Sequence, residues 1–424
     1  MKILFKAPLF LFLLFFSQQL LASQILIPMD DSQKNHLKAY GIAYWTLENQ
    51  VTIEWLLNYR GGSFLLPHLQ SIEEELLLRN VSYQVLADGQ VNQIKAQIND
   101  PEVNMEVVQL EKAPKIAVYT PPNKMPWDDA VTLVLEYAEI KYDKIYDSAI
   151  VNGILPKYDW LHLHHEDFTG QYGKFYSSAR MQSWYQQEVQ RSEADAAKLG
   201  FASTAALKRA VALNIRNFVI GGGFLFTMCS GTDSFDIALA AQSVDIQEAV
   251  FDGTPSDPRA QDKLDFNQTF AFRDFHIIKD PMVYEYSDID GTDLRTQRQI
   301  TEKSDQFTLF DFSAKWDVVP TMLTQCHVDV INGFMGQTTD FHKEFIKPNV
   351  LILGENKAAN TAKYVHGEFG QGTWTFYGGH DPEDYQHLVG DPPTDLNLHP
   401  NSPGYRLILN NILFPAAKKQ KRKT

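Results

Sequence analysis

Cysteine is scarce in this chain, because only Cys229 and Cys326 occur among 424 residues. Neither lies near the N-terminus, which argues against a lipid-modified N-terminal cysteine. In an oxidising compartment two cysteines can form one disulfide, or at least one of them can be a reactive thiol. The cysteine content leaves both interpretations open, and the sequence around each residue has to decide between them.

Positive charge is also in deficit. The chain has 38 Lys and Arg residues against 52 Asp and Glu residues, a formal net charge of −14. This balance argues against nucleic acid or an anionic membrane as a main partner. The exception is a basic tail at residues 417–424. We interpret it as a solvated terminus, with binding to an anionic surface as the alternative.

Long apolar runs are missing everywhere except at the N-terminus. There, Lys2 and Lys6 precede the apolar run APLFLFLLFF, and Ala22 and Ser23 supply the small side chains of a cleavage site. Residues 1–23 are therefore predicted to be a signal peptide, with an uncleaved anchor as the alternative. We expect a periplasmic or secreted protein that has no integral membrane span once the signal is removed.

The rest of the chain has no internal repeat and no low-complexity linker. Strand-like runs alternate with helical spacing, which predicts an α/β layer architecture. We assign residues 24–112 to an N-terminal α/β unit and residues 113–416 to a second domain. An irregular stretch at residues 249–317, rich in Asp, Phe and Pro, is interpreted as an insertion in that domain. Pro126, with acidic residues after it, predicts the start of a helix.

The strongest candidate site surrounds Cys229, in the sequence FLFTMCSGTDSFD. A buried strand precedes Cys229 and a helix follows it, which predicts a sharp turn at the carboxyl edge of a sheet. The N-terminus of that helix would lower the thiol pKa and offer N–H groups to an oxyanion. Ser230 and Gly231 are the small residues that such a turn requires. The alternative is a core cysteine that merely ends a strand.

A second candidate segment is YGGHDPEDYQH, in which a paired-glycine turn precedes His380. Asp381 and Glu383 follow closely. A histidine oriented by a carboxylate is the base that a cysteine nucleophile needs. The alternative is a polar loop whose histidine and aspartate cap a turn.

The third segment, HLHHEDF, contains His162, His164, His165, Glu166 and Asp167. On a strand, His162 and His164 share one face, and their spacing is compatible with zinc. The interpretation we adopt is that His164, His165 and Glu166 bind substrate at a strand end, where α/β proteins place ligands. No metal and no cofactor are therefore predicted.

The residues after Cys229 also suggest a phosphate site. Ser230, Gly231, Thr232, Asp233 and Ser234 are similar to the S-G-G-x-D-S loop that holds pyrophosphate in ATP-pyrophosphatases. A glycine turn and hydroxyls at a helix N-terminus can bind phosphate. Thr232 replaces the second glycine of that pattern. The functional interpretation we adopt gives Ser230 and Gly231 a role in substrate binding.

With these motifs in hand, the chain resembles a family of exported Bacteroidota proteins commonly labelled asparagine synthetase B. The resemblance covers nearly the whole mature chain. It rests on the segments ILIPMD, NHLKAYGIAYW, WLLNYRGGSFLLP, DWLHLHHEDFTGQYGKFY, GGGFLFTMCS, TDSFDIALAA, FYGGHDPEDYQH and LHPNSPGYRLILNNILFPA.

The second domain is also similar to the class I glutamine amidotransferase-like fold, a three-layer, flavodoxin-like α/β architecture. The resemblance implies a nucleophile at Cys229 and a catalytic histidine at His380, with Glu383 as the carboxylate. In that fold one residue separates the histidine from the glutamate. Here two residues intervene, and Asp381 lies next to the histidine.

The leading functional hypothesis is an exported, cysteine-dependent hydrolase of amide or related acyl bonds in a small molecule or peptide. Cys229 would be the nucleophile and His380 the base, oriented by Glu383 or Asp381.

Two alternatives remain open. One is the labelled activity, ATP-dependent amide transfer to aspartate, with Ser230 to Ser234 holding pyrophosphate. The other is a non-catalytic envelope protein that binds a ligand. A disulfide between Cys229 and Cys326 would favour this last alternative, since an oxidised nucleophile cannot attack.

Overall fold

The computed structural model describes residues 23–123, 125–386 and 388–418. The predicted signal peptide, apart from its last residue, and most of the basic tail lie outside the described residues. The N-terminal unit consists of one sheet and three helices. Their bounds are β1 Ser23–Ile27, α1 His36–Glu48, β2 Ile53–Leu57, β3 Ser63–Pro67, α2 Gln70–Leu78, β4 Gln84–Ala87, α3 Asp88–Asn99 and β5 Glu106–Leu110.

The sheet of the N-terminal unit has the strand order β4-β1-β3-β2-β5, and every neighbouring pair is antiparallel. Because side chains alternate along a strand, each face of the sheet carries its own apolar set. Ile25 and Ile27 pack into the core that contains α1, whereas Leu26 packs with Val91 and Ile98 of α3. The sheet is therefore sandwiched between α1 and α3.

The larger unit follows directly, and its strands form a second sheet. Its bounds are β6 Ile116–Tyr119, α4 Ala130–Tyr137, β7 Asp143–Ile145, α5 Asp147–Val151, β8 Trp160–Leu163, α6 Tyr176–Ala179, α7 Ser183–Lys198, α8 Thr204–Ile220, β9 Phe224–Met228, α9 Ser230–Ala240, α10 Ala249–Asp252, α11 Thr292–Arg298, β10 Gln306–Leu309, α12 Val318–Leu323, β11 Val330–Asn332, β12 Phe341–His342, β13 Leu351–Asn356, β14 Thr361–Phe369, β15 Gly372–Tyr377 and α13 Pro403–Leu413.

The strand order of this sheet is β11-β10-β13-β14-β15-β9-β8-β6-β7, and β12 also pairs with β14. The strands from β15 to β7 are parallel, and those from β11 to β15 are antiparallel. Parallel strands are covered on both faces, which explains the fully buried β6 and β8. The sequence-based prediction of an α/β protein is confirmed, because helices are combined with sheets of parallel and antiparallel strands.

Helices cover both faces of the large sheet. Ala117 and Tyr119 of β6 pack into the core with α8 and α9, whereas Ile116 and Val118 pack into the core with α1, α4 and α13. The core that contains Ile116 and Val118 also contains Ile25 and Ile27 of the N-terminal sheet. The two units are thus joined by one continuous apolar core. Among the described residues, none of the helices combines the length and the apolar character that crossing a membrane requires.

Two details differ from the expectations above. The helix expected to start at Pro126 begins instead at Ala130, because Asp129 caps it by accepting the N–H of Thr132 at 2.9 Å. Within residues 249–317, Gln306–Leu309 form β10, a member of the large sheet. The rest of this stretch is tied to α9, since the Asp236 carboxylate accepts three successive backbone N–H groups at residues 270–272.

Candidate active site at the carboxyl edge of the sheet

Three neighbouring parallel strands end at the same edge of the large sheet. His164 follows β8, Cys229 follows β9, and His380 lies just beyond β15. Backbone hydrogen bonds join the three segments. The N–H of Cys229 donates to Gly379 O at 3.1 Å, and the N–H of Gly231 donates to His164 O at 2.6 Å. Residues from three distant parts of the sequence therefore meet in one place.

Cys229 occupies the sharp turn that its sequence context predicts. Its φ and ψ are 50° and −140°, a left-handed conformation that is rare for residues other than glycine. Met228 ends the preceding strand and Ser230 begins the following helix. Such strained positions cluster at functional sites.

The thiol of Cys229 is buried, with 2% of the residue exposed. Burial raises the pKa of Cys229 to about 11, although the backbone N–H groups of Thr338, Gln337 and Ser230 act in the opposite direction. The N–H of Gln337 donates to Sγ at 3.2 Å. The lowered pKa expected from the helix N-terminus is therefore outweighed by desolvation, and the resting group is a neutral thiol.

Glycine is required at two of the close approaches around this turn. A Cβ at Gly231 would lie 2.3 Å from the carbonyl oxygen of His164. Gly379 has a φ of +87°, and a Cβ there would lie 2.7 Å from the Nζ of Lys363. The missing side chain at Gly231 lets the end of β8 lie against the turn at Cys229, and the missing side chain at Gly379 leaves room for Lys363 of β14.

A group of histidine rings lies beside the turn. The ring centre of His164 is 4.2 Å from that of His380 and 5.1 Å from that of His165. The rings of His165 and His380 are stacked at 5.7 Å. His162, on β8 itself, lies 5.4 Å from His164. The two predicted sites, HLHHEDF and YGGHDPEDYQH, are thus one site.

Asp129 completes this group, and sequence reasoning missed it. Its carboxylate oxygens lie 3.5 Å from His162 Nε2 and 3.3 Å from His164 Nδ1. Burial alone would raise the pKa of Asp129, but the two histidines hold it well below its usual range. Burial also lowers the pKa of His162. The available signal was an aspartate preceding an apolar helix, which is typical of an N-cap.

The two carboxylates predicted to orient His380 are engaged elsewhere. Asp381 accepts the N–H of Glu383 at 2.9 Å and the hydroxyl of Thr394 at 2.7 Å. Glu383 pairs with His399, whose Nδ1 lies 3.0 Å from a carboxylate oxygen. These contacts stabilise the loop after His380 and give no support to an orienting role.

The residues proposed for pyrophosphate binding form the buried first turns of α9. The Thr232 hydroxyl donates to Cys229 O at 2.6 Å, and the Ser234 hydroxyl donates to Glu166 O at 3.1 Å. Ser230 is fully buried as well. This arrangement does not favour the binding of a phosphate.

A cavity of about 760 Å³ lies beside the histidine group. Its lining includes Trp127, Asp128, Asp129 and His165. An adjoining smaller cavity is lined by His165 and Glu166 together with aromatic side chains. Burial raises the pKa of Glu166 to about 8. His165 and Glu166 thus line a cavity, and their role in substrate binding stays a prediction.

Aromatic rings form one end of the smaller cavity. The Trp127 ring lies 5.3 Å from His165, 5.5 Å from Phe175 and 5.4 Å from Trp184. These rings offer an apolar surface next to the polar histidines, which is the usual composition of a small-molecule site.

The two cysteines are both free thiols. Cys229 lies at the turn just described, while Cys326 is partly buried with its Sγ 3.9 Å from His327 Nδ1. The disulfide that would favour a non-catalytic protein is therefore not formed.

Comparisons with known proteins add little to this geometry. No family model matches the sequence, and no curated protein matches it. Among solved structures, the chain is similar to cytoplasmic protein STM3548 from Salmonella typhimurium, with a TM-score of 0.34 and 9% identity over 72% of this chain and 100% of that chain. For cytoplasmic protein STM1381 from Salmonella typhimurium LT2 the TM-score is 0.31, with 11% identity and the same coverage.

A β-galactosidase from Bacillus circulans sp. alkalophilus has a TM-score of 0.27 and 13% identity, over 69% of this chain and 32% of that chain. Similarities at this level carry no argument about activity. The function has to be argued from the site itself.

Proposed function

We propose that this protein is an exported, cysteine-dependent hydrolase of amide or related acyl bonds, built on a class I glutamine amidotransferase-like domain. The observation that carries the proposal is the left-handed backbone of Cys229 between a parallel strand and a helix. A nucleophile held in this way projects from the sheet edge toward neighbouring catalytic groups. His380 and His164, at the ends of the two adjacent strands, are such groups.

The proposed reaction begins when Sγ of Cys229 attacks the carbonyl carbon of the substrate and the thiol proton moves to His380. The tetrahedral intermediate collapses to a thioester as the C–N bond breaks, and His380 returns the proton to the leaving amine. A water molecule, deprotonated by the same histidine, then releases the acid and restores the thiol.

A neutral resting thiol has a mechanistic consequence. Because burial raises the pKa of Cys229 to about 11, little thiolate exists at neutral pH, and the proton has to leave during the attack. The backbone N–H groups of Gln337, Thr338 and Ser230 surround the sulfur. They are suited to stabilise negative charge on sulfur, or on the carbonyl oxygen after sulfur attacks the carbonyl carbon.

The cavity supports a small-molecule substrate. Its volume of about 760 Å³ is typical of small-molecule sites. The Trp127 ring offers apolar surface, while the aspartates at 128 and 129 and the lysines at 144 and 198 give the lining both signs of charge. A small molecule or short peptide with an amide next to an aromatic or aliphatic group fits this lining.

Export from the cytoplasm is part of the proposal. Lys2 and Lys6, the apolar run between them and Ala22, and the small residues at 22 and 23 support export to the periplasm or beyond. Such a compartment has no usual ATP pool, and an ATP-independent hydrolase is suited to it.

The test is the hydrolysis of a panel of amides and activated esters by the mature protein and three variants. Cys229→Ala should abolish turnover, whereas Cys326→Ala, the matched loss of the other thiol, should leave it unchanged. His380→Gln should reduce kcat by about 10²–10⁴-fold with a smaller effect on KM. Turnover that survives in Cys229→Ala would refute the mechanism. A wild-type protein that binds members of the panel without turnover would instead favour a ligand-binding protein.

A further inference from the structure

The carboxylate of Asp129 faces two buried histidines at distances that are long for hydrogen bonds. His162 and His164 are 0% and 1% exposed, and one ring nitrogen of each lies 3.5 Å and 3.3 Å from Asp129 oxygens. His162 Nε2 and both nitrogens of His164 are buried and have no hydrogen-bond partner. Buried polar groups of this kind call for a physical explanation.

The tautomer of His162 sharpens the question. Its Nδ1 lies 3.1 Å from the carbonyl oxygen of Phe226. A carbonyl can only accept, so the Nδ1–H donates to it, and Nε2 of the neutral ring carries a lone pair. That lone pair is directed toward a carboxylate oxygen, which is also an acceptor. Two acceptors that face each other in a buried place repel unless a proton or a metal cation lies between them.

We propose that Asp129, His162 and His164 form a binding site for one divalent transition-metal ion of the zinc class. One ligand atom from each residue lies within 4.8 Å of the others. Two ligand atoms on a tetrahedral zinc ion with bonds of ~2.1 Å are about 3.4 Å apart. Asp129 Oδ2 lies 3.5 Å from His162 Nε2 and Asp129 Oδ1 lies 3.3 Å from His164 Nδ1, so each carboxylate oxygen has this spacing to one histidine nitrogen.

The surroundings of this site have the organisation of a metal site. The Phe226 carbonyl fixes the His162 ring through its second nitrogen, as outer partners of metal-bound histidines do. The position of Asp129 is fixed by its role as the cap of α4, through the N–H of Thr132. Two imidazoles and a carboxylate, with a coordination position left open, are typical of catalytic zinc sites.

The site adjoins the cavity and His380, the proposed base. Asp129 lines the cavity of about 760 Å³, and His164 packs against His380. An ion held here would lie at the cavity wall, where a carbonyl or carboxylate of a ligand could reach its open position. Binding of the ion does not depend on the proposed hydrolysis, because Cys229 is not one of its ligands.

The test is a titration of chelator-treated mature protein with Co²⁺ and Zn²⁺. Wild-type protein should bind one Co²⁺ and develop the visible absorption bands of a four- or five-coordinate ion, and Zn²⁺ should displace it. Asp129→Asn keeps the capping oxygen, and His164→Gln removes one imidazole. Each should weaken Zn²⁺ binding by a hundredfold or more, since loss of an outer partner alone costs about 10–100-fold.

Two controls make the result decisive. His276→Gln removes an exposed histidine that pairs with Asp288 at 2.9 Å, and Cys229→Ala removes the proposed nucleophile. Both should bind Co²⁺ like the wild type. The site is refuted if wild-type protein binds no Co²⁺ or Zn²⁺. It is also refuted if folded Asp129→Asn, judged by circular dichroism, binds them as His276→Gln does.

Discussion

The backbone of Cys229 lies in a positive-φ region that costs a residue other than glycine about 1–3 kcal/mol. The surrounding structure imposes this conformation. The Cys229 N–H donates to Gly379 O, and its own carbonyl accepts from the N–H and the hydroxyl of Thr232. The sequence predicts the turn, because an apolar strand and a helix meet at this cysteine. It cannot predict the burial that raises the thiol pKa, since the covering loop at residues 335–339 is more than a hundred residues away.

The raised pKa of Cys229 predicts how the thiol reacts. In a Cys326→Ser background, where Cys229 is the only thiol, alkylation by iodoacetamide should accelerate about tenfold per pH unit from pH 7 to pH 9, because the thiolate fraction follows the pKa. In denaturant the rate should level off near pH 9, the ordinary range for cysteine. Mass spectrometry follows the reaction. A rate for the folded protein that is already constant above pH 7 would contradict the raised pKa.

A side chain at Gly231 should destabilise the same turn by steric overlap. A Cβ there meets the His164 carbonyl at 2.3 Å, and backbone atoms cannot move away cheaply. Gly231→Ala should therefore lower the free energy of unfolding by about 1–3 kcal/mol. Gly89→Ala, in α3 with no atom within 4 Å of the new Cβ, should be neutral or stabilising by up to about 1 kcal/mol. Urea denaturation measures both, and equal effects would show that the close approach is not tight.

At the scale of elements, the site depends on where strands end and helices begin. The ends of β8, β9 and β15 carry His164, Cys229 and His380, and each segment was identified from its own local pattern. Their proximity was not derivable locally, because it depends on the parallel pairing of three strands from distant parts of the chain. Asp129 was missed for a related reason. Its role depends on the docking of the N-terminus of α4 against β8.

A buried polar network joins α8, α5 and β6, and it predicts a non-additive effect on stability. Lys208 Nζ lies 3.0 Å from Asp147 Oδ2 and donates to Tyr119 and Tyr146 hydroxyls at 2.8 Å and 3.0 Å. Lys208→Met leaves the Asp147 charge buried and unpaired, and should cost about 3–5 kcal/mol.

The double variant Lys208→Met/Asp147→Asn removes that charge as well and should be more stable than Lys208→Met. Chemical denaturation of the wild type, both single variants and the double variant gives the coupling energy. Strictly additive losses would mean that the two side chains do not interact.

For the whole molecule, the sequence divides the chain into two units, and the structure joins them through one core. Alternation of strands and helices was sufficient to predict an α/β protein. The antiparallel pairing of the N-terminal sheet was not predictable from that alternation, because pairing depends on which strands meet in space. The same limit applies to β10, which lies inside an irregular stretch but completes the large sheet.

Because Arg406 of α13 binds groups of the N-terminal unit, we expect the two units to unfold together. Its guanidinium is fully buried and donates to Met29 O at 2.9 Å, to Gly61 O and to the Tyr40 hydroxyl at 3.2 Å, all in the N-terminal unit. Arg406→Leu removes these three buried, charge-assisted hydrogen bonds and should lower the free energy of unfolding by about 3 kcal/mol or more.

Lys141→Leu provides the matched control, since Lys141 also bridges the two units but in an exposed pair with Glu48 at 2.9 Å. Its loss should cost less than about 1 kcal/mol. Calorimetry of the wild type and both variants should give a single transition in each case. Two resolved transitions in the wild type would show that the N-terminal unit is independent of the large sheet.

The central claim is that Cys229 forms a covalent acyl intermediate at the carboxyl edge of the sheet. The most direct measurement is the mass of the mature protein, quenched with acid during its reaction with para-nitrophenyl acetate, followed by peptide mapping. We predict one acetyl group, located on Cys229, in the wild type and in Cys326→Ala. No such group should form in Cys229→Ala. An unmodified Cys229 during measurable turnover, or an acetyl group carried by another residue, would contradict the claim.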